Sequence, residues 1–206
     1  MAKRIRLGVL LSGGGRTLQN FLDRIDRGEL PAEVAVVIAS LSKTGGEERA
    51  RKRGIPAHVV RRKDYQTLEA FSEAINRILD GAKVDLVCLA GFMVLWKIPP
   101  RYEGKVMNIH PALIPSFCGD KMYGHLVHEA VVRRGVKVAG CTVHFADNEY
   151  DRGPIIIQKA VPVRFEDTPE EVAARVFEAE CEAYPEAIRL FAEGRLEIVD
   201  GRVRIR

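Results

Sequence analysis

Three runs of largely apolar residues, at 6–11, 34–39 and 84–90, limit the fold more than any other feature of the chain. Successive side chains of a strand point to opposite faces, so a strand of unbroken apolar character must be buried on both. Such strands belong to parallel sheets covered by helices. Helical patterns fall at 18–27, 47–53 and 65–79, and further strand patterns follow at 105–110, 138–145 and 155–161. A last helix starts at Thr168-Pro169-Glu170-Glu171. Thr168 suits the N-cap, Pro169 the first helical position, and Glu171 completes a capping box. Its apolar stripe reads Ala173, Phe177, Cys181, Tyr184, Ile188, Phe191, and Pro185 is expected to kink or reset it. The tail, 196–205, reads as a hairpin turned at Asp200-Gly201. No repeat, low-complexity segment or linker interrupts the alternation. At 206 residues the pattern predicts one α/β domain: a single doubly wound, mostly parallel sheet with helices on both faces.

Two polar segments break this apolar frame. Asn108 and His110 sit two apart at the end of the run 105–107, so on a strand both point to one face. Pro111 then stops the ladder, which leaves both side chains at a strand end, where open α/β sheets bind ligands. With Asp151, an amide, an imidazole and a carboxylate could stabilise an oxyanion and move a proton. The second segment, Ser12-Gly13-Gly14-Gly15-Arg16-Thr17, joins the first strand to the first helix. Backbone N–H groups there can hold a phosphate. Leu18 occupies the third glycine position of a dinucleotide fingerprint, and no Gly-Lys-Ser/Thr follows. A mononucleotide or sugar phosphate fits better, and a plain tight turn fits equally well.

Several function classes fall away. Met1-Ala2-Lys3-Arg4-Ile5-Arg6 runs straight into a strand pattern, so no signal peptide is expected. No apolar run reaches the roughly 18 residues of a membrane span. Cys88, Cys118, Cys141 and Cys181 form no C-x-x-C pair, which suggests reduced thiols in a cytoplasmic protein rather than a zinc site or disulfide framework. The net charge of +4 is well mixed and suits a small anionic substrate as well as a nucleic acid.

Read together, Leu89-Ala90-Gly91-Phe92-Met93, Asn108 through Pro115, Gly140-Cys141-Thr142-Val143-His144-Phe145, Asp151-Arg152-Gly153-Pro154-Ile155-Ile156 and the glycine loop have a recognisable order. The sequence resembles the formyltransferases that use 10-formyltetrahydrofolate, most closely those that formylate glycinamide ribonucleotide in purine synthesis. That resemblance covers nearly the whole chain and implies a formyltransferase fold, with a phosphate-binding half at 1–100 and a catalytic, folate-binding half at 101–206. It implies Asn108, His110 and Asp151 as the catalytic set, with Asp151 favouring a charged His110. It assigns Gly14, Gly15, Arg16 and Thr17 to the acceptor's phosphate and Glu180 to its ribose. The pterin falls to Phe92, Met93, Val94, Leu95 and Trp96, with Asn108 and the loop Ala146, Asp147, Asn148, Glu149 and Tyr150. It implies 10-formyltetrahydrofolate as donor, no metal, small-molecule substrates, neither nucleic acid nor membrane as partner, and leaves a homodimer open.

The chain departs from that family at Arg16-Thr17, where relatives usually carry Ser-Asn, and at Phe177, where they often carry Lys or Gln. The segment 118–128 is also longer than expected. His125 and His128, three apart with Asp120 nearby, read as loop or surface histidines before a metal site. His144 reads as a structural support for His110 or the Asp151 loop. Arg61-Arg62-Lys63 suits either a folate's glutamate tail or a solvated face, and a lone tryptophan such as Trp96 is ordinarily core or rim packing. Three functions are compatible: the formyltransferase, a hydrolase delivering the same formyl group to water, and a folate- or nucleotide-binding protein without catalysis. A methionyl-tRNA formyltransferase would need a C-terminal domain not seen here.

Overall fold

The apolar runs become the central strands of a computed structural model that describes residues 4–206; Met1-Ala2-Lys3, read as the lead-in to the first strand, lie outside the described residues. Strand β1 spans Ile5–Leu11, β2 Ala32–Ala39, β3 Ala57–Val59, β4 Leu86–Leu89, β5 Val106–His110, β6 Val138–Phe145 and β7 Ile155–Pro162. Their order is β3-β2-β1-β4-β5-β6-β7. Helices α1 (Arg16–Asp26), α2 (Gly45–Lys52), α3 (Leu68–Gly81), α4 (His125–Arg134) and α5 (Pro169–Ala192) alternate with them. The α/β sheet expected from the sequence is therefore present, mixed rather than wholly parallel. The chain divides into two compact units, Met1–Met107 and Asn108–Arg206.

In the first unit β1 pairs parallel to β2 and to β4, and β2 parallel to β3. Leu7, Val9, Leu10 and Leu11 are fully buried, which is possible only because both faces of β1 are covered. Helix α1 buries Leu18, Phe21 and Leu22, and α3 buries Phe71, Ile75 and Leu79, each a stripe at helical spacing. Gly8 permits the approach of α3: a Cβ there would lie 2.6 Å from Leu79 Cδ2. Each such side chain taken from water contributes roughly 1.5–3 kcal/mol.

In the second unit β6 and β7 run antiparallel, from Val138↔Pro162 to His144↔Ile155. Helix α5 packs on β6, β7 and α4. Its capping box is complete, with Thr168 accepting from the Glu171 N–H and Glu171 from the Thr168 N–H. Helix α5 is continuous through Pro185, which is buried, so it does not restart there. One expectation about α5 needs correction. Its buried stripe is Val172, Val176, Ala179, Ala183, Tyr184, Ala187 and Ile188, whereas Ala173, Phe177, Cys181 and Phe191 are half-buried on its flanks. Strands β8 (Leu196–Val199) and β9 (Arg202–Ile205) form the expected hairpin. Asp200 and Gly201 both have positive φ, 49° and 71°, the backbone of a tight two-residue turn.

Candidate active site

The cluster begins at the end of β5. Alternation puts Asn108 and His110 on one face, and both reach the same carboxylate, that of Asp151. Asn108 Nδ2 donates to Asp151 Oδ1 at 3.4 Å, and His110 Nδ1 lies 3.5 Å from Asp151 Oδ2. Asp151 itself sits in the left-handed region, φ 56°, in the turn after β6, and the Gly119 N–H donates to its Oδ2 at 2.9 Å. A fourth side chain completes the group. His144, near the end of β6, lies with Nε2 3.1 Å from Asn108 Nδ2 and Nδ1 2.9 Å from the Phe145 carbonyl. All three catalytic candidates read from the sequence thus converge. The sequence reading took His144 as a support for His110 or the Asp151 loop and missed its contact with Asn108. The signal was present: Thr142 and His144 alternate on one face of β6, and Thr142 Oγ1 donates to the Ala112 carbonyl just beyond β5.

Burial shapes the charges. His110 and His144 are almost wholly buried and Asp151 nearly so, with side-chain exposures of 5%, 2% and 10%. Burial pushes the His110 pKa below its ordinary value, although the Asp151 charge and the Phe117 carbonyl pull it upward. The expected effect of Asp151 is present, since its charge raises the His110 pKa, and desolvation works against it. Burial alone would raise the Asp151 carboxyl, yet its contacts with His144, His110 and the Gly119 N–H hold it below the usual range. The resting pair is therefore a carboxylate beside an imidazole that binds its proton weakly. Both ring nitrogens of His110 face acceptors, Phe117 O at 2.8 Å and Asp151 Oδ2, so a second proton gained in a reaction has a partner waiting. Such a ring can shuttle a proton, and polar N–H groups beside it can stabilise developing negative charge.

The segment 111–124 closes over this group through backbone atoms, which no side-chain motif reveals: the Phe117 carbonyl and the Gly119 N–H. Phe117 has φ 50° and Gly119 φ 92°. Burial and the Asp151 charge push the Cys118 thiol up, which makes it a poor nucleophile. His125 Nε2 lies 3.4 Å from carboxylates of Glu129 and Glu170, while His128 is buried. Among the described residues no group of three or more His, Cys, Asp or Glu is placed to hold a metal ion.

In the first unit the glycine loop ends on Gly15, φ 71°, whose added Cβ would meet Gly46 Cα at 2.5 Å. The Gly13 carbonyl accepts from the Gly46 N–H, and the Gly14 carbonyl from Arg49 Nε. With these carbonyls tied back and no side chain capping α1, the loop presents a helix N-terminus. Arg16 is exposed and Thr17 half-buried. The Met93 N–H donates to Ser12 Oγ, which fixes the chain after β4. There Met93 is exposed, and Phe92, Val94 and Leu95 are half-buried. Trp96 is core: it is buried, and its indole N–H donates to Asn76. Arg61 pairs with Asp64, and Arg62 donates to the Tyr65 carbonyl. In the second unit Ala146 is half-buried and Asp147, Asn148, Glu149 and Tyr150 are exposed, and Glu180 lies half-buried on α5.

Known proteins resemble this chain over nearly its whole length. The family model described as formyl transferase matches residues 5–188. Phosphoribosylglycinamide formyltransferase of Haemophilus influenzae is 38% identical over 95% of this chain and 91% of its own. The trifunctional purine biosynthetic protein adenosine-3 of Gallus gallus is 39% identical over 95% of this chain, which spans only 19% of that longer protein. The crystal structure of glycinamide ribonucleotide transformylase 1 from Symbiobacterium toebii has a TM-score of 0.91 and 46% identity, covering 98% of this chain and 94% of that one. By these matches the chain belongs to the formyl transferase family.

Proposed function

We propose that this chain transfers the formyl group of 10-formyltetrahydrofolate to the amine of glycinamide ribonucleotide, a step of de novo purine biosynthesis. The observation that carries this reading is the Asp151 carboxylate shared by Asn108 and His110 at the end of β5. The acceptor amine attacks the formyl carbon and a tetrahedral oxyanion develops. Asn108 and His110 stabilise it, and Asp151 compensates the charge that His110 gains. The proton leaves the attacking nitrogen, passes through His110 and arrives at the departing folate nitrogen, so that the C–N bond breaks without a free amide anion.

Binding roles follow the same reading. Gly14, Gly15, Arg16 and Thr17 take the phosphate at the N-terminus of α1, and Glu180 accepts from ribose hydroxyls. The pterin lies against Phe92, Met93, Val94 and Leu95, with Asn108 and the loop Ala146, Asp147, Asn148, Glu149 and Tyr150. Small molecules are the partners, and the cytoplasm suits four cysteines that all carry free thiols. Purified protein given 10-formyltetrahydrofolate and a panel of amines tests the reading. Folate release that depends on glycinamide ribonucleotide supports it. Equal release with water alone means a hydrolase and overturns it.

A further inference from the structure

We infer that His144 is a positioning residue that fixes the plane and the orientation of the Asn108 carboxamide, and thereby the hydrogen Asn108 offers to the reaction. The inference rests on the proposed role of Asn108 and deepens it. Its starting point is a carbonyl. The Phe145 oxygen, 2.9 Å from His144 Nδ1, can only accept, so Nδ1 carries a hydrogen. In the neutral ring Nε2 is then a bare acceptor, and Asn108 Nδ2 lies 3.1 Å from it. Asp151 Oδ1 stands 3.6 Å from the same Nε2, a longer contact than that of Asn108. The Asn108 amino group bridges the two, giving one hydrogen to each.

This bridge settles which end of the amide faces which way. With the carboxamide reversed, its oxygen would face Asp151 Oδ1 at 3.4 Å, two acceptors without a hydrogen. The bonds also differ in length. The shorter one, to His144, holds the amide, and the longer one, to Asp151, is the one whose hydrogen can turn to a developing oxyanion. His144 needs no contact with substrate for this. It has instead the placement of an anchor: fully within β6, buried, and bonded to its own strand.

Two substitutions separate this role from a merely structural one. Glutamine places its oxygen near the position of Nε2, whereas asparagine places its amide nitrogen near that of Nδ1. His144→Gln keeps the acceptor for Asn108, and His144→Asn keeps the tie to the Phe145 carbonyl. We expect His144→Gln to turn over within about tenfold of the parent chain. His144→Asn should lose about a hundredfold in kcat with little change in either KM, the usual scale for a catalytic group misplaced by about 1 Å. The reverse order means the strand tie matters and overturns the inference. A double-mutant cycle gives the second readout: in an Asn108→Ala background, His144→Asn should cost no further turnover. A full further loss there overturns the inference while leaving formyl transfer by the parent chain intact, whereas a parent chain that transfers no formyl group overturns the proposed function itself.

Discussion

Asp151 is held in a left-handed backbone conformation that asparagine also tolerates, so Asp151→Asn removes charge without disturbing the turn. We expect it to lose about a hundredfold or more in turnover, as removal of one group stabilising a developing charge typically does. His110→Ala should lose at least as much, because it removes both the proposed proton carrier and a partner of the carboxylate. Circular dichroism and melting should show both variants folded; near-normal turnover by either would remove these residues from the chemistry. Arg16 tests the other half of the reading. At the start of α1 its charge opposes the helix dipole, a mildly unfavourable placement. A charge-assisted hydrogen bond is worth roughly 1.5–3 kcal/mol, so Arg16→Ala should raise the acceptor KM about ten- to a hundredfold and leave the donor KM alone. An unchanged acceptor KM would assign the phosphate to the loop backbone and Thr17. At this scale the sequence revealed side chains and concealed backbone. Strand spacing put Asn108 and His110 on one face and the family resemblance added Asp151, but the Phe117 carbonyl and Gly119 N–H that complete their environment carry no signature.

Elements were legible where local chemistry alone decides them. Thr168 and Glu171 cap α5 as their spacing requires, and Asp200-Gly201 turns the last hairpin. Thr168→Ala should cost about 1 kcal/mol, read as a lower urea midpoint with an unchanged slope. What failed was decided by neighbours. The α5 stripe was drawn through large residues, but a helix lying on β6, β7 and α4 buries Ala179, Ala183 and Ala187 to come close and leaves Phe177 and Phe191 on its flanks. Strand β3, three residues long, is too short to show a period. Helix α4 starts after Gly124, φ 54°, with no side-chain cap, and so lacked a start signal. Gly8 makes the complementary point inside a strand, where close packing needs a missing side chain. Gly8→Ala should cost about 1–3 kcal/mol, because Leu79 is fully buried and has little room to yield. Chemical denaturation checks it; a loss below about 0.5 kcal/mol would mean that α3 shifts freely.

For the molecule as a whole, the alternation of strands and helices announced the sheet, whereas the division between its two units falls inside β5, after Met107, where no change of composition marks it. Burial of polar groups is likewise a property of the whole, and it governs how the protein meets acid. Burial lowers the His128 pKa from 6.5 to about 4, with help from the charges of His125 and His110, and burial lowers that of His110 as well. As pH falls from 6.5 toward about 4, the unfolded chain binds protons that these folded imidazoles refuse. The unfolded state then holds more protons, and stability falls with pH. Carboxylates act below that window. Asp167, held near 2 by Arg175 and the Arg164 N–H, contributes stability above its ordinary value of 3.8 that is lost as pH drops through about 2. Acid should therefore weaken the fold in two stages. His128→Leu separates them, because Nδ1 of His128 has no hydrogen-bond partner among the described residues and its removal leaves no bond broken. The melting temperature of the variant should fall less than that of the parent chain between pH 6.5 and 4, and the two should fall in parallel below pH 3.8. Equal losses in the upper window would show that His128 takes up its proton in the folded protein as readily as in the unfolded chain.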